Sequence, residues 1–429
     1  MNKCKENINV CLISKKGHKW PFFLIMLGAL IALPVRVWLS LPLFNSISLL
    51  DVVSICLLIY LVLRAAQNQK LNVGDRWVFA ALVVPLGMLI ISLVWTTDAA
   101  STVKQFIIFA EALTCYLATI SLIRTRSYWR YDVVIIVIWA FIATILSCAF
   151  LSLLHVPGFE PRLPPGLANK PAQLTNYFNS YYSRLSNPFI GLSNDFASIL
   201  VLFVFPLYAI AVYKDTFVAR AIAHLNLLAI FMTQSRGALG AIAICGFIYF
   251  FKNISKGKSW KILAAILMIS MIGLLLYFMM NQNSAEFLST RLGSVNIESR
   301  LAGYRDLVAL ILQRPLLGYG GGVVPTDNPI VTIGIHNAYL EQALYYGIIG
   351  GSLTSLFILL IPLRFWIIHY HHSGSARLFA GAATLSVLAE TIIYVSETSY
   401  QASVIRVLIY FSLALIIMLT QLKMTVIKK

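Results

Sequence analysis

Residues 221–251 read AIAHLNLLAIFMTQSRGALGAIAICGFIYFF, two apolar runs on either side of a short polar stretch around Arg236. A helix that crosses a membrane needs about 20 mostly apolar residues, because the hydrocarbon core is about 30 Å thick. A charge in the middle of such a helix would be costly. We therefore predict two spans, about 217–233 and 237–252, joined by the tight turn TQSRG, which holds Arg236 at the membrane surface.

The rest of the chain shares this apolar character. Hydrophobic residues make up 59% and charged residues 11% of the 429 residues, and the mean hydropathy is +0.82. Soluble domains are about 45–50% apolar and about 25% charged. We predict an all-α polytopic membrane protein with one integral-membrane domain over residues 1–429. The net charge of +17 is explained by loops that orient helices, so we expect no nucleic-acid partner.

A scan for apolar runs predicts about twelve membrane-spanning helices. The first is interpreted as an uncleaved helix, because no small-residue cleavage site follows it. The predicted spans are about 21–40, 48–66, 77–95, 102–123, 132–154, 191–213, 217–233, 237–252, 260–280, 337–362, 376–395 and 402–421.

Lys and Arg are unevenly distributed over the gaps between these spans. Cytoplasmic loops of membrane proteins carry an excess of both residue types. If the N-terminus is cytoplasmic, every even gap carries basic residues, whereas short odd gaps such as TTDAAS (96–101) and SETSYQA (396–402) carry none. The charge distribution therefore predicts that both termini are cytoplasmic.

Three outer segments carry basic residues against this rule: a loop at 155–190, the turn with Arg236, and a large loop at 281–336. A basic cluster at the membrane surface suits an anionic ligand. The sequence SRLAGYRDLVALILQRPLLGYGGG (299–322) has a helical period that stops at Pro315, which predicts an amphipathic helix in the large loop.

Arg236 and His336 are the leading candidates for chemistry on the outer side. An arginine offers a planar fork of donors to phosphate oxygens, although an interfacial arginine commonly only snorkels to the headgroups. An unperturbed histidine has a pKa of about 6.5, which suits proton removal near neutral pH. A lone histidine beside a capping Asn337 is, however, a common structural arrangement. Arg184, Arg300 and Arg305 can each be solvated loop or helix charges.

The charged residues Glu111, Glu390 and Arg406 lie inside predicted spans. Such charges usually pair with one another or line a polar cavity. We expect Glu390 or Glu397 to pair with Arg406 in a structural role. On the outer side, no group of carboxylates resembles a divalent-metal cage and no nucleotide motif is present, so we expect no metal and no cofactor.

The order and spacing of these motifs resemble one known family. His336 and Asn337, followed by nine residues and then Gly347 and Gly350, resemble the signature of bacterial O-antigen ligases and their polymerase relatives. TQSRGAL (233–239), SRLAGYRDLVALILQRPLLGYG (299–320) and SRLSNPFIGLSNDFAS (183–198) resemble further segments of that family. The resemblance covers roughly residues 180–350.

The resemblance implies a GT-C-like glycosyltransferase of the bacterial inner membrane, which acts in lipopolysaccharide biosynthesis. Such an enzyme transfers a glycan from undecaprenyl pyrophosphate to a sugar hydroxyl of lipid A–core, at the periplasmic face, with inversion and without a metal. Matched motif by motif, Arg236 and Arg300 correspond to pyrophosphate-binding arginines and His336 to the catalytic histidine. Arg184 and Arg305 are further candidate ligands of the pyrophosphate.

Three alternatives stay open at this point. A polymerase of the same superfamily would join repeat units on the lipid carrier by the same leaving-group chemistry. An oligosaccharyltransferase would use a protein serine as acceptor. A transporter or flippase of lipid-linked glycans is also compatible with twelve spans, although a structured outer loop with His336 and several arginines suits an enzyme better.

Overall fold

The computed structural model describes residues 49–67, 71–124, 131–156, 185–187, 193–253, 294–322, 337–395 and 403–421, and all statements below concern these. Within these ranges the chain forms eleven helices. They are α1 (Leu49–Ala66), α2 (Arg76–Ser92), α3 (Ala99–Arg124), α4 (Tyr131–Leu153), α5 (Ser193–Lys214), α6 (Phe217–Thr233), α7 (Arg236–Asn253), α8 (Ser294–Gln313), α9 (Ala338–His371), α10 (Gly374–Ile393) and α11 (Ser403–Gln421).

The helices agree with the spans predicted from the sequence wherever the two can be compared. Predicted spans 21–40 and 260–280 lie outside the described residues, and each of the others coincides with a helix. α9 continues beyond its predicted end at 362, because the charge of Arg364 is neutralised by Asp75 at distances of 2.8–2.9 Å instead of ending the helix. The amphipathic helix predicted in the large loop is confirmed as α8.

Five helices are long and apolar enough to cross a membrane, and further shorter apolar helices accompany them. The five spans are Ala99–Leu122, Val133–Leu153, Ser193–Lys214, Ala338–His371 and Gly374–Ile393. The chain is therefore an all-helical, multi-pass membrane protein in the part that the structure describes. The total of twelve spans and the GT-C-like arrangement stay predictions.

Helices α5, α10 and α11 form the centre of the bundle. Every residue of α11 from Arg406 to Thr420 is buried, and α11 packs against α3, α5 and α10. A helix that is apolar on all sides is buried among other helices, which explains this central position. α5 packs in turn against α6 and α10.

Contacts between the ends of helices define two ends of the bundle. At the end that we call lower, Asp75 before α2 binds Arg364 on α9, and Arg64 on α1 donates to the carbonyl of Ser121 at 3.1 Å. At the other end, which we call upper, the amide of Ala338 donates to the carbonyl of Tyr394 at 2.9 Å, so α9 begins where α10 ends. The loop before α2 and the lower end of α9 adjoin gaps predicted to be inner, and the upper ends of α9 and α10 adjoin gaps predicted to be outer.

Helix α9 is broken near its upper end at Gly347, where the backbone has φ 70° and ψ −180°. The break separates a short upper segment, 338–346, from a longer one, 348–371. A break in a helix leaves backbone carbonyls and amides without their usual partners, and buried groups of this kind are almost always satisfied in another way.

The segment Pro315–Gly322, which we call the strap, follows α8 and fills this break. It satisfies the exposed backbone groups of α9 with three hydrogen bonds. The Tyr319 amide donates to the Leu344 carbonyl (3.0 Å), the Gly320 amide to the Tyr345 carbonyl (2.9 Å), and the Ile348 amide to the Pro315 carbonyl (2.7 Å). The strap therefore joins α8 to both parts of α9.

Replacement of Gly347 by alanine is expected to destabilise this junction. A Cβ atom at Gly347 would lie 2.2 Å from the backbone oxygen of Leu316, and the backbone conformation of Gly347, which is essentially restricted to glycine, costs any other residue about 1–3 kcal/mol before that clash. Thermal unfolding of the purified protein should therefore shift to lower temperature in Gly347→Ala. Gly87→Ala in α2, where a Cβ meets nothing within 4 Å, is the control and should unfold like the wild type or later. Equal melting temperatures in the two variants would contradict the packing described here.

Candidate functional site

The turn before Arg236 reverses the chain within two residues at the upper end. Gln234 adopts the left-handed conformation at φ 54° and ends α6 with a hydrogen bond to the Phe231 carbonyl of 3.0 Å. The Ser235 hydroxyl accepts from the amide of Ala238 at 3.5 Å and so caps α7. This geometry confirms the hairpin predicted from TQSRG, and Arg236 is the first residue of α7.

Arg236 is exposed at the N-terminus of α7, whereas its neighbour Ser235 is buried. The first turn of a helix carries unbonded amides and the positive end of the helix dipole, both of which favour anions. A guanidinium at the same place adds a full positive charge with directed donors. Chemically, the N-terminus of α7 with Arg236 suits a phosphate group better than a cation or an apolar ligand.

The chain immediately after Arg184 is hydrogen-bonded to the hairpin that holds Arg236. The Leu185 amide donates to the Met232 carbonyl at 2.9 Å, four residues before Arg236. The buried Asn187 side chain donates to the Ile145 carbonyl at 2.9 Å. Arg184 itself lies outside the described residues, so its predicted contact with a ligand stays a prediction.

Helix α8 carries Arg300 and Arg305 and leads into the strap. The sequence predicts an apolar face of Leu301, Tyr304, Leu307, Val308 and Ile311. Leu307 and Ile311 are buried together with Leu310, whereas Leu301 and Val308 are exposed, and α8 packs against α9. Arg305 is exposed. Arg300 lies in the second turn of α8, and its side chain is outside the described structure. At the end of α8, Arg314 lies over the ring of Tyr319 with 4.9 Å between guanidinium and centroid, which adds a side-chain contact between α8 and the strap.

The start of α9 is fixed by capping and by α10. The Asn337 side-chain oxygen accepts from the amides of Tyr339 and Leu340, both at 3.0 Å, which confirms the cap predicted there. The Tyr339 hydroxyl donates to the Thr391 carbonyl at 2.8 Å. His336, the residue directly before this cap, lies outside the described residues.

The strap is hydrogen-bonded to the end of α2 and to the loop between α2 and α3. The Gly321 amide donates to the Ser92 hydroxyl at 3.2 Å, and the Thr97 amide donates to the Tyr319 carbonyl at 3.2 Å. Asp98 in this loop is held by the hydroxyl and amide of Ser101, and these hydrogen bonds lower the pKa of its carboxyl group. The upper end therefore contains a fixed anion at Asp98 as well as its arginines.

The structure thus brings part of the predicted site to one end of the bundle. Arg236, the chain next to Arg184, the arginine-bearing α8 and the beginning of α9 all belong to the upper end. A cavity shared by Arg184, Arg236, Arg300, Arg305 and His336 stays a prediction.

The sequence singled out Arg406 inside a span, but it did not predict the buried polar residues around it. Arg406 donates to the Gln105 side-chain oxygen at 3.0 Å, and its guanidinium lies 3.7 Å from the centroid of the Phe109 ring. Glu341 on α9 interacts electrostatically with Arg406 and accepts from the Tyr345 hydroxyl at 2.9 Å. Glu341 lies within the quoted histidine motif, and an acidic residue inside an apolar span was the available signal.

Glu390 has other partners than the predicted Arg406. Its Oε1 atom accepts from the Ser198 hydroxyl at 2.5 Å, and Tyr394 forms a second side-chain hydrogen bond with the carboxyl group. The expected pairing fails for Glu390, because its carboxyl group is bound by hydroxyl groups on α5 and at the end of α10 instead. Glu397, the other predicted partner of Arg406, lies outside the described residues.

Comparison with known proteins supports the family resemblance. Residues 221–355 match the family model described as O-Antigen ligase, which is less than half of the chain and includes Arg236, Arg300, Arg305 and His336. The resemblance predicted from the motifs is confirmed over these residues. No curated protein matches the chain significantly.

Replacement of Asn337 should loosen the beginning of α9. The Asn337→Ala variant loses the acceptor of two amides, a change that costs about 1 kcal/mol in typical N-cap substitutions. We expect a lower melting temperature and faster hydrogen exchange at the amides of Tyr339 and Leu340. Asn337→Asp keeps the acceptor and should behave as the wild type. Unchanged exchange in Asn337→Ala would show that the cap does not hold this segment.

Proposed function

We propose that this protein, whose residues 221–355 carry the O-antigen ligase domain, transfers a glycan from undecaprenyl pyrophosphate to a sugar hydroxyl of lipid A–core. The observation that carries the proposal is the family match, together with the hairpin that exposes Arg236 at the end of the bundle where α9 begins. The reaction takes place at the periplasmic face of the bacterial inner membrane. Both chain termini lie on the cytoplasmic side, as the charge distribution over the gaps predicts.

The arginines bind the leaving group in this mechanism. Arg236 and Arg300 bind the pyrophosphate oxygens of the donor, and Arg184 and Arg305 add positive charge around them. The bond between the anomeric carbon and the pyrophosphate oxygen breaks, and negative charge grows on the departing group. Fixed positive groups that stabilise charge developing in the transition state lower the barrier directly.

His336 acts on the hydroxyl group of the acceptor. As general base it takes the proton of the acceptor hydroxyl while that oxygen attacks the anomeric carbon from the face opposite the leaving group. The products are the glycosidic bond, with inverted configuration, and free undecaprenyl pyrophosphate. The protein supplies the positive charge that neutralises the leaving group, so the mechanism requires no metal ion.

The proposal is tested by reconstitution in vesicles. The purified protein is combined with glycan-bearing undecaprenyl pyrophosphate and lipid A–core, both isolated from the source cell. Glycan covalently attached to lipid A–core is the expected product. Longer chains on the carrier would identify a polymerase instead. Movement of the donor between leaflets without any covalent product would identify a flippase.

Three substitutions should remove transfer while the protein still inserts in the membrane. Arg236→Ala, Arg300→Ala and His336→Ala are each expected to lower the transfer rate about 10²–10³-fold, since each removes a group that acts in the transition state. Rates are measured by the appearance of glycan on lipid A–core in the reconstituted system.

The matched control is Arg220→Ala, which removes an exposed arginine at the other end of α6, where it pairs with Asp215. This variant should retain the wild-type rate. A similar loss in the control would mean that the effect at Arg236 reflects overall charge, and full activity in His336→Ala would rule out the general-base role.

A further inference from the structure

Arg406 is a buried cation in the upper part of the bundle, with 2% of its surface exposed. Ionisable residues within membrane spans are expensive, and they are usually retained because they pair with other polar groups or serve function. Arg406 lies close to the beginning of α11, the most buried helix of the described structure. The residues that contact Arg406 therefore indicate which helices it helps to hold in place.

Those neighbours come from two other helices. Gln105 on α3 accepts a hydrogen bond of 3.0 Å from the guanidinium, and Phe109 on α3 offers its ring face at 3.7 Å. Glu341 on α9 interacts electrostatically with Arg406 and is itself 3% exposed. The Oε2 atom of Glu341 is buried and has no hydrogen-bond partner among the described residues.

Glu341 belongs to the upper segment of α9, residues 338–346, which the break at Gly347 separates from the rest of that helix. A segment of this length is too short to be stable as an isolated helix. Its position is therefore set by lateral contacts. The strap binds the lower boundary of this segment, and α10 binds its beginning.

The strap also touches the Arg406 cluster. A Cβ atom at Gly322 would lie 2.4 Å from the Cγ atom of Gln105, so the strap is packed directly against the residue that accepts the hydrogen bond from Arg406. α8, the upper segment of α9 and the start of α11 are thus linked through a few side chains and the strap.

We propose that Arg406 is a positioning residue, which holds the upper segment of α9 in place through Gln105 and the strap. That segment begins directly after the cap that follows His336, so displacement of the segment displaces the end to which the histidine is attached. The expected loss of transfer activity rests on the proposed transferase function. The expected displacement of the upper segment of α9 does not depend on that function.

The test uses Arg406→Gln, and Gln105→Met as a second variant that removes only the hydrogen-bond acceptor. A third variant combines Arg406→Gln with Glu341→Gln, so that no uncompensated buried charge remains to unfold the protein. Each is expected to lower kcat for glycan transfer by up to about 10²-fold, the effect of a displacement of about 1 Å in an active site. KM for both substrates should stay close to the wild-type value, because the proposed role of Arg406 acts through other residues and its side chain is buried.

The matched control is Arg364→Gln, on the same helix α9 but at its lower end, where Arg364 binds Asp75. This change should lower the melting temperature without changing kcat. Hydrogen exchange of the backbone amides supplies a readout independent of activity. Arg406→Gln should accelerate exchange in residues 339–346, whereas Arg364→Gln should accelerate it near residue 364.

The outcomes separate the two proposals. If the wild type transfers no glycan, the proposed function fails, and exchange alone then decides the role of Arg406. If the wild type is active and the folded double variant has the wild-type kcat, the positioning role is overturned. Unchanged exchange in residues 339–346 in Arg406→Gln would overturn it equally, whether or not the protein is active.

Discussion

The hydrogen bonds between the strap and the broken helix α9 are the constraint on which the upper end of the molecule depends. Gly347 interrupts the helix in a conformation that favours glycine, and the strap supplies the amides and the carbonyl that the interrupted helix lacks. In a membrane protein an unsatisfied buried backbone group costs several kcal/mol, so the break and the strap require each other. Through this junction α8, which carries Arg300 and Arg305, is fixed to the helix that begins after His336.

Two buried carboxyl groups, Glu341 within the upper segment of α9 and Glu390 on α10, have different partners. Glu390 accepts a hydrogen bond from Ser198 on α5, whereas Glu341 accepts one from Tyr345 on its own helix and also interacts electrostatically with the buried Arg406. An uncompensated charge in a buried site costs about 3–5 kcal/mol in measured cases. Such groups specify one arrangement of the helices around α9 because alternatives would leave a charge or a carboxyl group without a partner.

Much of the architecture could be predicted from the sequence, and the reasons are physical. Apolar runs of membrane length fixed the helices because the bilayer restricts what can cross it, and the turn at Arg236 followed from the cost of a charge inside a span. The end of α9 was placed too early because the charge of Arg364 was read without its partner Asp75, which is distant in sequence. The strap and the Gln105–Arg406 contact are likewise long-range, and a single sequence carries no periodic signal for such pairs.

For the site, sequence and structure contribute different parts. The motifs identified Arg236, Arg300 and His336 through resemblance, and the family match covers all three. The structure adds the hairpin, the cap at Asn337 and the buried cluster around Arg406. The account is tested most directly by deletion of the gene in the source cell, followed by analysis of the glycans. It predicts lipid A–core without polymer, together with long polymer retained on undecaprenyl pyrophosphate. Fully capped lipopolysaccharide in the deletion strain, or single repeat units on the core, would contradict it.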